Sequence, residues 1–171
     1  MKKFKVLIIG YGSAGRRHAK ILAKNKLVSQ IYIFTKQPCK KFKKINNLSK
    51  IKEIKPDYVI ICSRTSDHYK HLSYTLRCLK NKKILVEKPL FNRSRSIKEK
   101  SGNKIIVGYN LRLHPVIQYV KKYIKNKSFF SVGIYCHSYL PNWRKSINYK
   151  HSNTAKKKYG GGILLELSHE I

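Results

Sequence analysis

Over the first hundred or so positions the apolar residues come in short unbroken runs separated by polar stretches, not in strict alternation. Val6-Leu7-Ile8-Ile9, Ile31-Tyr32-Ile33-Phe34, Tyr58-Val59-Ile60-Ile61-Cys62, Ile84-Leu85-Val86 and Ile105-Ile106-Val107 are the clearest runs. Runs of this length bounded by polar segments suit strands buried on both faces, which occur where helices cover a parallel sheet from two sides. Residues 14–24 and about 67–79 supply the helical patterns between them, and Ser66 or Asp67 is placed to cap the second. The pattern therefore predicts an α/β fold with a doubly wound parallel sheet, its strands over residues 5–9, 31–34, 58–62, 84–86 and 104–107. Residues 34–54 are polar and poorly periodic. They read as a degenerate helix, a short strand near 45–48 and a second helical turn.

After Gly108 the pattern changes. Residues 109–115 bridge into a helix over 116–125, where Val116, Val120 and Ile124 recur every four positions. Residues 128–139 then form a long aromatic and β-branched stretch that reads as a strand, and one strand cannot be a sheet. A second domain is expected to begin here. Gly160-Gly161-Gly162 leads into Ile163, Leu164, Leu167 and Ile171, an apolar helical face still running at the last residue. The expected organisation is a first domain over 1–110 and the beginning of an α+β domain over 111–171, as in the front part of a longer protein.

A chain of 171 residues has room for one full domain and part of another, and 42% hydrophobic content is ordinary for a packed core. The apolar run near the start is too short for a secretory signal, and no segment has membrane length. Cys39, Cys62, Cys78 and Cys136 are too widely spaced for a zinc or redox pair, so no metal is expected; free thiols and a cytoplasmic location are. The charge is unusual: 39 Lys and Arg against 7 Asp and Glu give a formal +32. Because the lysines spread along the whole chain, a solvated surface is favoured over a nucleic-acid site, though the excess still attracts anionic ligands.

The most informative local feature is the turn Gly10-Tyr11-Gly12-Ser13-Ala14-Gly15, directly after the first strand and opening the first helix. Such a turn aims backbone N–H groups and the positive end of a helix dipole at one point, where a pyrophosphate can sit. Gly10 permits the tight turn, Gly12 lets the diphosphate approach, and Gly15 lets helix and strand pack closely. This is a Rossmann dinucleotide fingerprint, and its context between strand and helix makes it specific. Where a carboxylate would hold the adenosine ribose hydroxyls stand Thr35-Lys36-Gln37, a hydroxyl and a cation that suit a 2′-phosphate. The expected cofactor is NAD(P), leaning to NADP.

A second motif is Glu87-Lys88-Pro89, at the end of the strand over 84–86. Ligands of open α/β sheets bind beyond the carboxyl ends of strands, so Lys88 is delivered to the edge where a nicotinamide should lie. Its ammonium can bond a substrate hydroxyl and stabilise the oxyanion that develops as hydride leaves carbon. The plain alternative is one more surface lysine.

Taken together, the motifs resemble the glucose-fructose oxidoreductase, inositol dehydrogenase and MocA-like family of NAD(P)-dependent enzymes. The resemblance rests on the glycine turn with Arg16-Arg17-His18, the strand ending in Cys62-Ser63 with Thr65 to His68, and Glu87-Lys88-Pro89. It continues through Val107-Gly108-Tyr109-Asn110-Leu111-Arg112 and ends on the glycine run with Glu166-Leu167-Ser168-His169. It implies a Rossmann domain followed by an α/β domain with an open sheet. It also implies Lys88 as catalytic lysine and His169 as general acid/base, with Glu166 three residues before it as a possible partner.

On the same footing Ser63, His68, Glu87 and Lys88 join Thr35, Lys36 and the glycine turn as cofactor-binding residues, and Asn110 and Arg112 meet the substrate. Trp143 and Arg144 are weaker candidates. The implied activity is hydride transfer between nicotinamide and a secondary alcohol of a sugar, cyclitol or sugar nucleotide, with a homo-oligomer expected only where the second domain is complete. The alternative is a truncated nucleotide-binding protein without catalytic activity.

Overall fold

The computed structural model of the protein describes residues 3–143 and 148–167. Its centre is a six-stranded, all-parallel sheet of strands β1 (Phe4–Ile9), β2 (Val28–Phe34), β3 (Lys43–Ile45), β4 (Tyr58–Ile61), β5 (Lys83–Val86) and β6 (Lys104–Val107). The spatial order is β3-β2-β1-β4-β5-β6. This is the Rossmann order, in which winding reverses beside β1 and leaves a crevice between the carboxyl ends of β1 and β4. The register across that reversal is in step, with Ile9 opposite both Phe34 and Ile61.

The unbroken apolar runs are explained by what covers them. Leu7, Ile9, Val59, Ile61, Ile84 and Val86 face helix α3 (Thr65–Cys78), which contributes Leu72 and Leu76. Val6, Ile8, Ile31, Ile33 and Ile60 face helix α1 (Ser13–Leu22), which contributes Ala19. Each such side chain, taken from water, adds about 1.5–3 kcal/mol of burial free energy. The sheet is thus the part of the molecule rigid enough to hold a site at its edge.

Elements lie within a few residues of expectation, with four differences. Residues 35–42 form no helix; β3 comes earlier than expected, and a 3-10 turn (Leu48–Lys50) runs into a short helix α2 (Ile51–Ile54). Helix α3 starts at Thr65 after Arg64, with no side-chain cap from Ser66 or Asp67, which fall inside its first turn. A 3-10 turn (Asn110–Leu113) precedes helix α4 (Pro115–Ile124), capped by the His114 side chain accepting from the Val116 N–H. Residues 128–139 are not a strand. The stretch has the composition for one, but a strand exists only through its ladder, and among the described residues no sheet offers it a partner. A last helix, α5 (Ile163–Leu167), follows the glycine run.

Candidate functional site

The site is built where β1 ends. Gly10 adopts φ +102°, and a Cβ there would lie 2.6 Å from the Cys62 carbonyl oxygen; one on Gly15 would lie 2.2 Å from the Gly10 oxygen. These two glycines are demanded by the fold itself, because the turn threads between β4 and α1. Gly12 is different. A Cβ there would meet nothing within 4 Å, and no side chain caps the helix that starts after it. The first turn of α1 also carries no acidic residue. An open, uncapped helix start with no acidic residue in its own first turn fits a diphosphate, whose binding needs backbone approach and positive potential.

Around this turn the structure collects the residues that sequence singled out. Thr35 and Lys36 follow β2, and the Thr35 Oγ1 accepts from the Gln37 N–H at 3.0 Å. Ser63 follows β4 and lies 2.8 Å from His71 Nδ1 on α3. Burial holds the His71 imidazole below its ordinary range despite the charge of Asp67. Cys62, beside the turn, donates to the Gly10 carbonyl at 3.3 Å. Burial, reinforced by the charge of Glu87, pushes its thiol up to about 12, so it packs here as a neutral group.

Glu87 and Lys88 end β5 on the same edge. Glu87 Oε1 lies 2.6 Å from His18 Nε2 on α1, a contact joining the glycine-turn helix to the Lys88 turn. Burial raises the Glu87 carboxyl, but the hydrogen bond and charge of His18, the charge of Arg17 and the Lys88 N–H outweigh it and hold the group below its ordinary value. Lys88 Nζ donates to the Glu166 carbonyl at 2.6 Å, with Glu166 Oε2 at 3.7 Å. Helix α5 is thereby seated over the lysine, and the Arg64 guanidinium on the Tyr159 ring, 4.5 Å from its centroid, ties the preceding turn to the start of α3.

His68, expected beside the cofactor, is a buried side chain of α3. It is 1% exposed, with Nδ1 3.0 Å from the Pro89 oxygen and Nε2 3.2 Å from the Ser63 oxygen. Burial lowers its pKa against the opposing pull of those carbonyls and of Glu87. Both ring nitrogens face backbone carbonyls, and a neutral ring donates to one of them, so His68 packs between the loop after β4 and the turn after Lys88.

Asn110 and Arg112 are exposed on the turn after β6, and the Arg112 guanidinium folds back to the Val107 carbonyl at 3.1 Å. Trp143 donates to the Ser138 hydroxyl. Arg144 and His169 lie outside the described residues. Sequence reasoning gave no role to His18, His71 or the pairing of Arg16 with Gln37 (3.2 Å): the partners of His18 and Arg16 lie 69 and 21 positions away, and that of His71 depends on how the loop after β4 turns back onto α3.

Among the described residues no cluster of His, Cys, Asp or Glu could hold a metal ion, and no helix is long and apolar enough to cross a membrane. A recess of about 340 Å³ opens elsewhere, on the α1 side of the sheet, lined by Phe4, Val6, Leu22, Ile60, Leu85 and Ile106 among others. It is mostly apolar, and the Lys83 ammonium and Tyr58 hydroxyl on its lining residues are bonded to each other, so it competes poorly with the strand-end crevice as a site for chemistry.

Solved structures share this architecture. The chain aligns with the WlbA dehydrogenase from Bordetella pertussis in complex with NADH and UDP-GlcNAcA at TM-score 0.73 and 16% identity, covering 98% of this chain and 56% of that one. An NAD-binding protein from Listeria innocua aligns at TM-score 0.67 and 18% identity, with 98% and 52% covered. UDP-N-acetylglucosamine 3-dehydrogenase from Acidithiobacillus ferrooxidans aligns at 0.57 and 19%, with 72% and 44% covered. This chain thus spans between 44% and 56% of the length of these structures. A search of curated proteins finds no match. The Gfo/Idh/MocA model, described as an oxidoreductase family with an NAD-binding Rossmann fold, matches residues 4–108, more than half of the sequence. With that match and a sheet of Rossmann order ending in the glycine turn, the chain belongs to the Gfo/Idh/MocA oxidoreductase family.

Proposed function

We propose that this chain holds a nicotinamide dinucleotide over the carboxyl ends of β1, β4 and β5 and serves hydride transfer at a secondary alcohol of a sugar, cyclitol or sugar nucleotide. The observation that carries the reading is the position of Lys88. It follows β5, the strand neighbouring β4, and its Nζ engages α5 through the Glu166 carbonyl.

The residues that would hold the dinucleotide are the turn Gly10 to Gly15 for the diphosphate, Thr35 and Lys36 for the adenosine ribose, and Ser63, Glu87 and Lys88 nearer the nicotinamide. A loop lacking a carboxylate after β2 favours the 2′-phosphorylated form. The cofactor, when bound, supplies the hydride acceptor or donor. Lys88 donates a hydrogen bond to the reacting oxygen and stabilises negative charge as it develops there. His169 accepts the hydroxyl proton during oxidation and returns it during reduction. Asn110 and Arg112 offer polar contacts to a substrate bearing hydroxyls or phosphate. Structural neighbours that act on UDP-sugars make sugar nucleotides the first substrates to try.

The test is fluorescence titration with nicotinamide cofactors alongside turnover on a panel of sugar nucleotides and cyclitols. Lys88→Met should lower turnover by about 10²- to 10⁴-fold while cofactor affinity falls far less. Cofactor binding by the native chain without turnover on any panel member would favour the second reading, a nucleotide-binding protein without catalytic activity. Turnover unaffected by Lys88→Met would remove the lysine from the chemistry.

A further inference from the structure

The two nicotinamide dinucleotides differ at one place, the adenosine ribose, which carries either a 2′-hydroxyl or a 2′-phosphate, and a Rossmann fold meets that ribose at the loop after β2. In this protein the loop is held by a residue from another element. Arg16, in the first turn of α1, donates from Nε to the Tyr11 carbonyl at 3.2 Å and from a terminal nitrogen to Gln37 Oε1 at 3.2 Å. Its guanidinium carbon lies 5.3 Å from the centroid of the Tyr11 ring, and that ring meets Phe42 edge-on at 6.5 Å. Gln37 in turn is fixed by its own N–H on Thr35 Oγ1 at 3.0 Å.

We propose that Arg16 selects the 2′-phosphorylated dinucleotide, its guanidinium held between Tyr11 and Gln37 as a preformed phosphate fork. The inference rests on the dinucleotide reading above and names the residue that sets its preference. Three features support it. The Tyr11 carbonyl and the Gln37 amide that accept from Arg16 are neutral, and among the described residues no carboxylate pairs with it, so its charge is uncompensated. Of the five N–H donors of a guanidinium, the two contacts to Tyr11 and Gln37 leave further donors for an anion, in the planar geometry that phosphate oxygens match. The side chain is exposed, so a ligand can reach it.

Lys36 is the competing candidate on sequence grounds. It is exposed on the loop, whereas Arg16 is already oriented, so less side-chain freedom is lost when Arg16 meets the phosphate. Because the unused donors of Arg16 face water, NADH leaves no buried group unpaired. The result is a preference between the cofactors, with NADH still able to bind.

The experiment measures equilibrium binding to the full chain: NADPH and NADH by fluorescence, and 2′,5′-ADP and 5′-AMP by calorimetry, the last two carrying the ribose end without nicotinamide. The native chain should bind NADPH about tenfold or more tighter than NADH. Arg16→Ala should weaken NADPH and 2′,5′-ADP by that factor and move NADH and 5′-AMP by less than about twofold. Arg16→Lys, which keeps the charge and loses the fork, should restore only part of the preference. Circular dichroism and thermal unfolding report whether each variant retains its fold.

Equal affinity of the native chain for the two cofactors would overturn the proposal. So would an equal loss for both in a folded Arg16→Ala, or removal of the preference by Lys36→Ala and not by Arg16→Ala. If neither cofactor nor fragment binds at all, the dinucleotide reading itself falls and takes this inference with it.

Discussion

Strands β1 and β4 and helix α4 are all rich in aliphatic residues, yet they end in opposite environments. Leu7, Ile8, Ile9, Val59 and Ile61 are fully buried, whereas Val116, Ile117, Val120 and Ile124 on α4 are all more than 40% exposed. The stretch from Phe129 to Tyr139 shares the fate of α4, with Phe130, Val132 and Tyr135 in solvent. The difference lies in partners: each central strand has a hydrogen-bonded neighbour on both sides and a helix on each face, whereas α4 meets chiefly the turn that precedes it. An apolar pattern specifies a face and its period; what the face rests on is decided by the rest of the fold. For function, the glycine turn is open at Gly12 but anchored at its ends by Gly10 and Gly15 against the buried strands, so the geometry that would hold a cofactor is fixed by packing.

The largest effect that separates the two regions should come from Gly15→Ala, since the new Cβ would lie 2.2 Å from the Gly10 carbonyl and 3.1 Å from Cys62 Sγ. Displacing α1 from β1 should cost several kcal/mol, a large share of a typical domain's stability, and denaturant unfolding would read it. Next comes Ile61→Ala, where a fully buried side chain on β4 is lost; about 2–5 kcal/mol is expected, with a lower midpoint.

A smaller, pH-dependent effect is expected at Glu87, whose folded-state pKa is depressed. A depressed carboxyl adds stability in full above its unfolded value of about 4.3, and loses it as pH falls through the folded value. Glu87→Gln should therefore reduce the fall in melting temperature on the acid side and change stability near pH 7 in the destabilising direction. Smallest of all, Val120→Ala on α4 should change stability by no more than about 0.5 kcal/mol. A loss as large as that of Ile61→Ala would mean that α4 is packed in solution, and the comparison would fail.

Much of the sheet was legible because its signals are local. The runs at Val6 to Ile9 and Tyr58 to Ile61 declare two buried faces within four residues, and the glycine turn declares its own geometry through its spacing. Contacts between distant positions were not legible: His18 and Glu87 are 69 residues apart, Lys88 and Glu166 are 78 apart, and no periodicity links them. His68 was visible as a motif residue, but its role depends on the Pro89 and Ser63 carbonyls that surround it. Residues 128–139 carry strand propensity without a ladder, the case in which composition misleads most readily.

The central claim is that the Gly10 to Gly15 turn is a cradle for a dinucleotide, and Gly12→Ala tests it most directly, because a Cβ at that position would meet nothing of the protein within 4 Å. Melting temperature and NADPH affinity should be measured on the same preparation. The account predicts a melting temperature within about 2 °C of the native chain together with an affinity lowered by about tenfold or more. A native-like affinity in the folded variant would contradict it.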